Sequence, residues 1–188
     1  MSTGRLILVV GPSGVGKDSL LDTAKEHLAD DDRIIFARRY ITRDEEAGGE
    51  DHLEISPRDF ERKLEKGDFA LHWQAHGHQY GISASTLRDV KSGHTVVVNG
   101  SRGVIDAARA RYPDLTVAYI TTDPDILRKR LEGRGRENAA DIEARIKRAS
   151  AFSIEGPDIV KIDNSGPLEI AASAFVKLIT QLLLATAS

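Results

Sequence analysis

Short apolar runs rich in β-formers alternate along the chain with longer stretches of helical periodicity. The runs at 6–10, 34–37, 95–99, 116–120 and 159–162 predict strands. Helices are predicted over 17–28, 57–66, 84–91, 104–111, 124–131, 139–152 and 167–184. Ser56 precedes Pro57, with Asp59 at the fourth place, and Asp123 precedes Pro124. Each pair reads as a helix start, because the side-chain oxygen accepts from free N–H groups and proline tolerates the first helical position. Ser83 is expected to cap the helix after Tyr80-Gly81. Alternating strands and helices argue for an α/β fold, a parallel sheet covered by helices on both faces. Ligands on such sheets bind at the carboxyl ends of the strands.

The stretch from Arg38 to Tyr80 breaks the alternation. It is dense in charge, His and Gly, and reads as an inserted lobe rather than part of a parallel core. Arg38, Arg39 and Arg43 suit an anionic second substrate, since guanidinium presents a rigid fork of donors. His72, His76 and His78 do not converge on an evident metal site, and no cysteine supports one. Hydrogen bonding to a sugar or phosphate, or packing beside Trp73, accounts for them better.

The chemistry gathers at residues 11–19, GPSGVGKDS, directly after the first strand. Gly11, Gly16 and Lys17 fit the phosphate-binding P-loop, and the whole loop, Gly11, Pro12, Ser13, Gly14, Val15, Gly16, Lys17, Asp18 and Ser19, is assigned to ATP. Glycines let the backbone curl close to a phosphate, its N–H groups point inward at a helix N-terminus, and Lys17 adds a mobile charge. The hydroxyl that normally follows the lysine and helps to hold Mg²⁺ is replaced by Asp18, with Ser19 one place later. A carboxylate is a good ligand for that ion. The strand at 95–99 ends on Asn99 and carries no acid, so the Mg²⁺-directed carboxylate is read as having moved from the strand to Asp18.

Arg102 lies just beyond that strand and is a further candidate for the anion. The segment 128–148 is the most basic: Gly133-Arg134-Gly135-Arg136 interrupts the helix, and Arg145 and Arg148 recur on the next. A Gly-hinged flap with arginines suits phosphoryl transfer, closing over the phosphates and excluding water. Arg130 of this segment and Asn164, in the loop after the last strand, are assigned to the nucleotide. Composition adds exclusions. A formal net charge of −3 gives no bulk case for nucleic acid. Absent cysteine rules out disulfides and thiolate chemistry. The apolar stretch 175–185 is broken by Lys177, Thr180 and Gln181 and reads as too short and too polar for a membrane. The chain enters a strand almost at once with no signal pattern, so a cytoplasmic protein is expected. A monomer and a homodimer both stay open.

Four motifs, GPSGVGK, TR-x-x-x-x-G, HG-x-x-YG and LEGRGR, together resemble guanylate kinase and its relatives over nearly the whole chain. The resemblance implies a P-loop kinase fold: a core over 1–37, 95–123 and 153–188, an acceptor-binding lobe over about 38–82 and a lid over about 133–145. It implies Arg43 and Tyr80 as acceptor-phosphate ligands, and Lys17, Arg134 and Arg145 as the catalytic cations around the transferred group. The departures matter equally. The family's guanine-reading serine and glutamate fall at Arg39 and Leu71, its second phosphate arginine at Glu46, its first lobe tyrosine at His52, and its strand aspartate in the region 98–100. Leu71 cannot hydrogen-bond a guanine edge, so a sugar phosphate fits better than GMP. GKDS, ITR…AGGEDH, FALHWQAHG…YGI and VVVNGSRG are similar to the branch of the family that phosphorylates ribose 1,5-bisphosphate. That branch implies ATP and Mg²⁺ on the donor side, and a small phosphorylated sugar held by Arg39, Arg43, His52, His76, Tyr80 and Arg102. The alternatives are a nucleoside monophosphate kinase and a non-catalytic interaction module.

Overall fold

The computed structural model describes residues 4–47, 50–135, 138–151 and 153–185. Gly48 and Gly49 of AGGEDH, Arg136 of the flap and Phe152 at the end of the predicted sixth helix lie outside the described residues. The elements in chain order are β1 (Arg5–Val10), α1 (Lys17–His27), β2 (Ile34–Ala37), β3 (Tyr40–Ile41), β4 (Leu53–Glu54), α2 (Pro57–Glu65), β5 (Phe69–Ala75) and β6 (His78–Ser83). There follow α3 (Ser85–Lys91), β7 (Thr95–Asn99), α4 (Ile105–Arg111), β8 (Leu115–Thr121), α5 (Pro124–Gly133), α6 (Ala139–Ser150), β9 (Ile159–Asp163) and α7 (Leu168–Ala185).

The five expected strands form one parallel sheet in the order β2-β7-β1-β8-β9. Its central strand, β1, is buried on both faces, which is why its sequence is continuously apolar rather than alternating. Leu6, Leu8 and Val10 pack with Val96, Val98, Ile105 and Ala108 on one side. Ile7 and Val9 pack with Leu20, Ala24, Phe175 and Ile179 on the other. Helices thus cover both faces, and the carboxyl ends of β1, β7 and β8 open toward the loop before α1.

The caps at α2 and α5 form as the sequence indicates. Ser56 Oγ accepts from the Asp59 N–H at 3.1 Å, and the Asp123 carboxylate accepts from the Asp125 N–H at 2.8 Å. Ser83 acts one place earlier than a standard cap: the helix is entered through Ala84, and the Ser83 hydroxyl accepts from the Ser85 N–H at 3.2 Å. α7 corrects the reading of the C-terminal stretch as too short and too polar. By length and composition it is apolar enough to cross a membrane. Its apolarity has a local use, because Ala171, Ala172, Phe175, Ile179 and Leu183 are buried in the core.

The lobe contains a second sheet, in the order β4-β3-β6-β5, which hydrophobic patterning did not disclose. Two of its strands are only two residues long, too short to show a period. β5 and β6 form a hairpin through His76-Gly77, where φ is 52° and 77°. Successive left-handed residues match the twist of a two-residue hairpin, and glycine takes the second at little cost. Beneath the sheet, Phe60 and Phe69 stack at 4.6 Å with Ile55, Tyr40 and Leu64 around them. Phe60→Ala is expected to lower unfolding stability by about 3 kcal/mol through the cavity it leaves. A urea midpoint indistinguishable from that of the unmodified chain would contradict this account of the lobe.

Candidate active site

The loop between β1 and α1 turns on two glycines with left-handed backbone, Gly14 at φ 90° and Gly16 at φ 95°. At Gly16 a Cβ would also stand 2.5 Å from Asn164 Nδ2. That contact is part of a clamp. Asn164 is buried, and its Nδ2 donates to the Val15 carbonyl at 2.7 Å. Arg130 donates through Nη1 to the same carbonyl at 3.3 Å and through Nη2 to the Asn164 carbonyl at 2.8 Å. Both residues were expected to contact the nucleotide. The structure places one donor of each on the Val15 carbonyl of the loop, from behind, while Asn164 Oδ1 is buried without a hydrogen-bond partner. Val15 contributes its backbone, its side chain being buried in the core, and Ser19 is exposed on α1.

Beside the loop lies a cavity of about 420 Å³. Lys17, Arg39, Arg43, Arg102, Arg145 and Arg148 line it; among the described residues two carboxylates, Asp18 and Glu50, oppose them. Lys17 Nζ donates to the Gly11 carbonyl at 3.1 Å. Desolvation pushes its pKa below the usual lysine value, Asp18 and Glu50 work against that shift, and Arg39 and Arg102 reinforce it. Arg145 reaches the tip of the loop, its Nη1 donating to Ser13 Oγ at 3.3 Å. Arg134 does not join it: the residue is exposed at the end of α5 and does not line the cavity. Arg148, one turn beyond Arg145, does line it; the shared helix face was visible in the sequence but was not assigned to the site.

Asp18 and Asn99 meet at the base of the cavity, Asn99 Nδ2 donating to Asp18 Oδ1 at 2.9 Å. The Asn99 Oδ1 is buried without a hydrogen-bond partner. A carboxylate and an orphaned amide oxygen at the mouth of a phosphate loop are hard oxygen donors, and they fit Mg²⁺ bound mainly by phosphates and water. No group of three or more His, Cys, Asp or Glu side chains forms a metal cluster among the described residues.

The lobe supplies the opposite wall. Arg43 Nε and Nη2 are buried without hydrogen-bond partners, and Glu50 Oε1 stands 3.9 Å from Nη2. Buried guanidinium donors left in this way favour an incoming anion. Tyr80 also lines the wall, and burial raises its pKa. His76, at the hairpin tip, lines the cavity with its pKa lowered, first by burial and then by the charges of Arg145, Lys17 and Arg148. Arg102 lines it beside Tyr119, to which it is hydrogen-bonded.

Three lobe residues expected to receive the anion are engaged otherwise. Arg39 makes a two-pronged pair with Glu50, its Nε donating to Oε2 at 2.7 Å, and lies over the ring of Tyr80 at 5.1 Å. Arg38 Nη2 donates to the His52 carbonyl at 2.8 Å and pairs with Asp51. The ring nitrogens of buried His52 lie 3.0 Å from the carbonyl oxygens of Glu50 and Arg43. His52 therefore holds the loop that presents those two residues. Besides Arg148, Glu50 and Asn99 are site residues that sequence reasoning missed, though both stand inside motifs it singled out.

The guanylate kinase family model matches residues 3–165. A protein of Desulfomicrobium baculatum named ribose 1,5-bisphosphate phosphokinase PhnN is 47% identical over 177 residues, covering 94% of this chain and 95% of its own. One of the same name from Azotobacter vinelandii is 47% identical over 177 residues, covering 94% of this chain and 96% of its own. The crystal structure of guanylate kinase from Anaplasma phagocytophilum superposes with a TM-score of 0.64 at 18% identity, over 96% of this chain and 86% of its own.

Asn164→Ala is expected to loosen the loop and weaken ATP and GTP binding alike, by about tenfold, the worth of one buried hydrogen bond. Equilibrium titration with both nucleotides checks this. A changed ratio between them would mean that the side chain reads the base.

Proposed function

The chain belongs to the guanylate kinase family, and on that premise we propose that it transfers the γ-phosphoryl group of ATP to the C1 phosphate of ribose 1,5-bisphosphate. The products are 5-phosphoribosyl 1-diphosphate and ADP. The observation that carries this reading is the acceptor wall. It presents buried, unsatisfied guanidinium donors at Arg43, while Leu71, where a guanine-reading carboxylate is expected, is buried in the core. A nucleobase edge would find no hydrogen-bonding side chain at that position, whereas phosphates would find several cations. The relatives with 47% identity carry the same activity in their names.

The chemistry is positioning and charge stabilisation. An oxygen of the C1 phosphate attacks the γ-phosphorus in line, forming one P–O bond as the bond to the ADP oxygen breaks, without a covalent enzyme intermediate. The loop backbone and Lys17 hold the donor phosphates. Arg145 and Arg148 face the transferred group from α6, where their charge is worth most as negative charge spreads over its oxygens. Arg43, Tyr80, His76 and Arg102 hold the bisphosphate. Asp18, fixed by Asn99, would hold Mg²⁺ directly or through water; when bound, the ion neutralises the β- and γ-phosphate oxygens. The segment at about 133–145 serves as the lid that excludes water, and the lobe at about 38–82 receives the sugar. ATP as donor puts the working protein in the cytoplasm. No nucleic acid or membrane takes part in the reaction, which proceeds equally in a monomer or a homodimer.

An acceptor screen with ATP and Mg²⁺, read by ADP release and product mass, is expected to show ribose 1,5-bisphosphate gaining one phosphoryl group and GMP remaining unchanged. Turnover of GMP alone would refute the acceptor assignment. A second outcome concerns the relocated carboxylate. Asp18→Ala should weaken the apparent Mg²⁺ affinity by about tenfold or more, the usual effect of losing a residue that orients a metal, and should weaken ATP binding less. An unaltered Mg²⁺ requirement would remove Asp18 from that role.

A further inference from the structure

Glu50 sits where a phosphate-binding wall has no use for it. Every other charged group on the lobe side of the cavity is cationic, and a carboxylate there repels the phosphates those cations attract. Glu50 is nonetheless held firmly. Arg39 grips it with two donors, Arg43 stands 3.9 Å away, and its backbone carbonyl lies 3.0 Å from the His52 ring. The side chain retains 15% exposure, and it lines the cavity. A carboxylate has about four acceptor positions, and Arg39 occupies one on each oxygen, so acceptor capacity remains on both. Glu50 lines the same cavity as Lys17 of the donor loop and Arg43 and Tyr80 of the lobe. An acceptor with one phosphate at each end would hold its sugar ring beside that stretch of wall. The ring's own hydrogen-bond donors are its 2- and 3-hydroxyl groups, and a fixed carboxylate is the strongest acceptor for them.

We infer that Glu50 reads the sugar, accepting hydrogen bonds from the ribose hydroxyls, and thereby makes the enzyme select ribose over 2-deoxyribose in a 1,5-bisphosphate acceptor. The inference rests on the acceptor reading above. Arg39 then has a definite task. Paired with Glu50 and stacked over Tyr80, it aims the carboxylate instead of binding phosphate. Removing the 2-hydroxyl from the substrate leaves one of the carboxylate's remaining acceptor positions unfilled, and a site built around that hydrogen bond discriminates against the analogue.

The test compares kcat/KM for ribose 1,5-bisphosphate and 2-deoxyribose 1,5-bisphosphate in the unmodified enzyme and in Glu50→Gln. The unmodified enzyme is expected to prefer ribose by about a hundredfold, less than a fully enclosed site gives because the cavity is open. In Glu50→Gln that preference should fall to within about threefold, whatever happens to the absolute rate. A residue that only steadied Arg39 would depress both acceptors equally and leave the ratio unchanged, and that result overturns the inference. So does an unmodified enzyme that uses both sugars equally well. Trp73, the chain's single tryptophan, lines the cavity, so its fluorescence also reports acceptor binding where turnover is too slow to measure. Should Glu50→Gln fail to fold, Glu50→Asp, which keeps the charge but withdraws it by one methylene, must shift the same ratio or the inference falls. Failure of the acceptor reading itself is distinguishable, since ribose 1,5-bisphosphate would then gain no phosphoryl group in the unmodified enzyme.

Discussion

The Val15 carbonyl has two donors bound to it, one from Asn164 after the last strand and one from Arg130 on α5. The donor half of the site depends on that grip. A phosphate loop works by presenting backbone N–H groups to one point, which requires left-handed backbone at Gly14 and Gly16 and something to oppose the loop's tendency to relax. Here the opposition comes from a buried amide and a guanidinium more than a hundred residues away in sequence. Parallel topology makes this economical. Every strand of the main sheet delivers its carboxyl end to the same edge, so the residue after β9 arrives behind the loop after β1 although β8 lies between them.

A cavity shaped in this way then has to tolerate its own charge. Lys17 is desolvated with Arg39 and Arg102 close enough to depress its pKa further, and His76 is kept toward its neutral form first by burial and then by Arg145, Lys17 and Arg148. In the free protein Asp18 and Glu50 offset part of the repulsion. The remainder is relieved by a phosphorylated ligand, which strengthens binding of any polyanion but distinguishes poorly among them. Selectivity must therefore come from groups other than the cations.

The division between what could and could not be read from the chain follows the same line. The five strands of the main sheet and the seven helices were legible because each is its own apolar run or helical period, and the caps at Ser56 and Asp123 are local chemistry. The second sheet was hidden, because β3 and β4 are two residues long, β3 being held by the β6 edge and β4 by β3. In the site, residues within the loop motif were legible and residues paired across the fold were not. Asn164 was placed in the right loop, but its partner there is Val15, a contact spanning 149 positions. Arg39 and His52 looked like ligands because their residue types suit anions. In the structure Arg39 is paired with Glu50, and His52 lies against the Glu50 and Arg43 carbonyls, through geometry that spacing does not encode. The resemblance paired Arg134 with Arg145; in the structure Arg145 reaches the loop, and Arg134 is exposed at the end of α5.

These corrections share a pattern. Phosphates are common to the donor and to any phosphorylated acceptor, so cations surround the cavity on both its donor and its lobe side. Carboxylates are the adjustable part. Relative to the guanylate kinase pattern that the motifs resemble, an acid is missing from the end of β7, where Asn99 now stands. Another is missing at Leu71, which is buried in the core. Two acids line the cavity from other places: Asp18, hydrogen-bonded to that same Asn99, and Glu50, gripped by the arginine that occupies the other base-reading position. Each relocated carboxylate is anchored by a residue at a vacated or altered position. A lone acid moved into a crowded cationic cavity would collapse onto the nearest arginine. An acid pinned by an amide or a two-pronged guanidinium keeps acceptor positions facing the ligand. Changing the acceptor on this fold is thus a matter of relocating negative charge together with its anchor, and the anchors are what a comparison of motifs alone does not reveal.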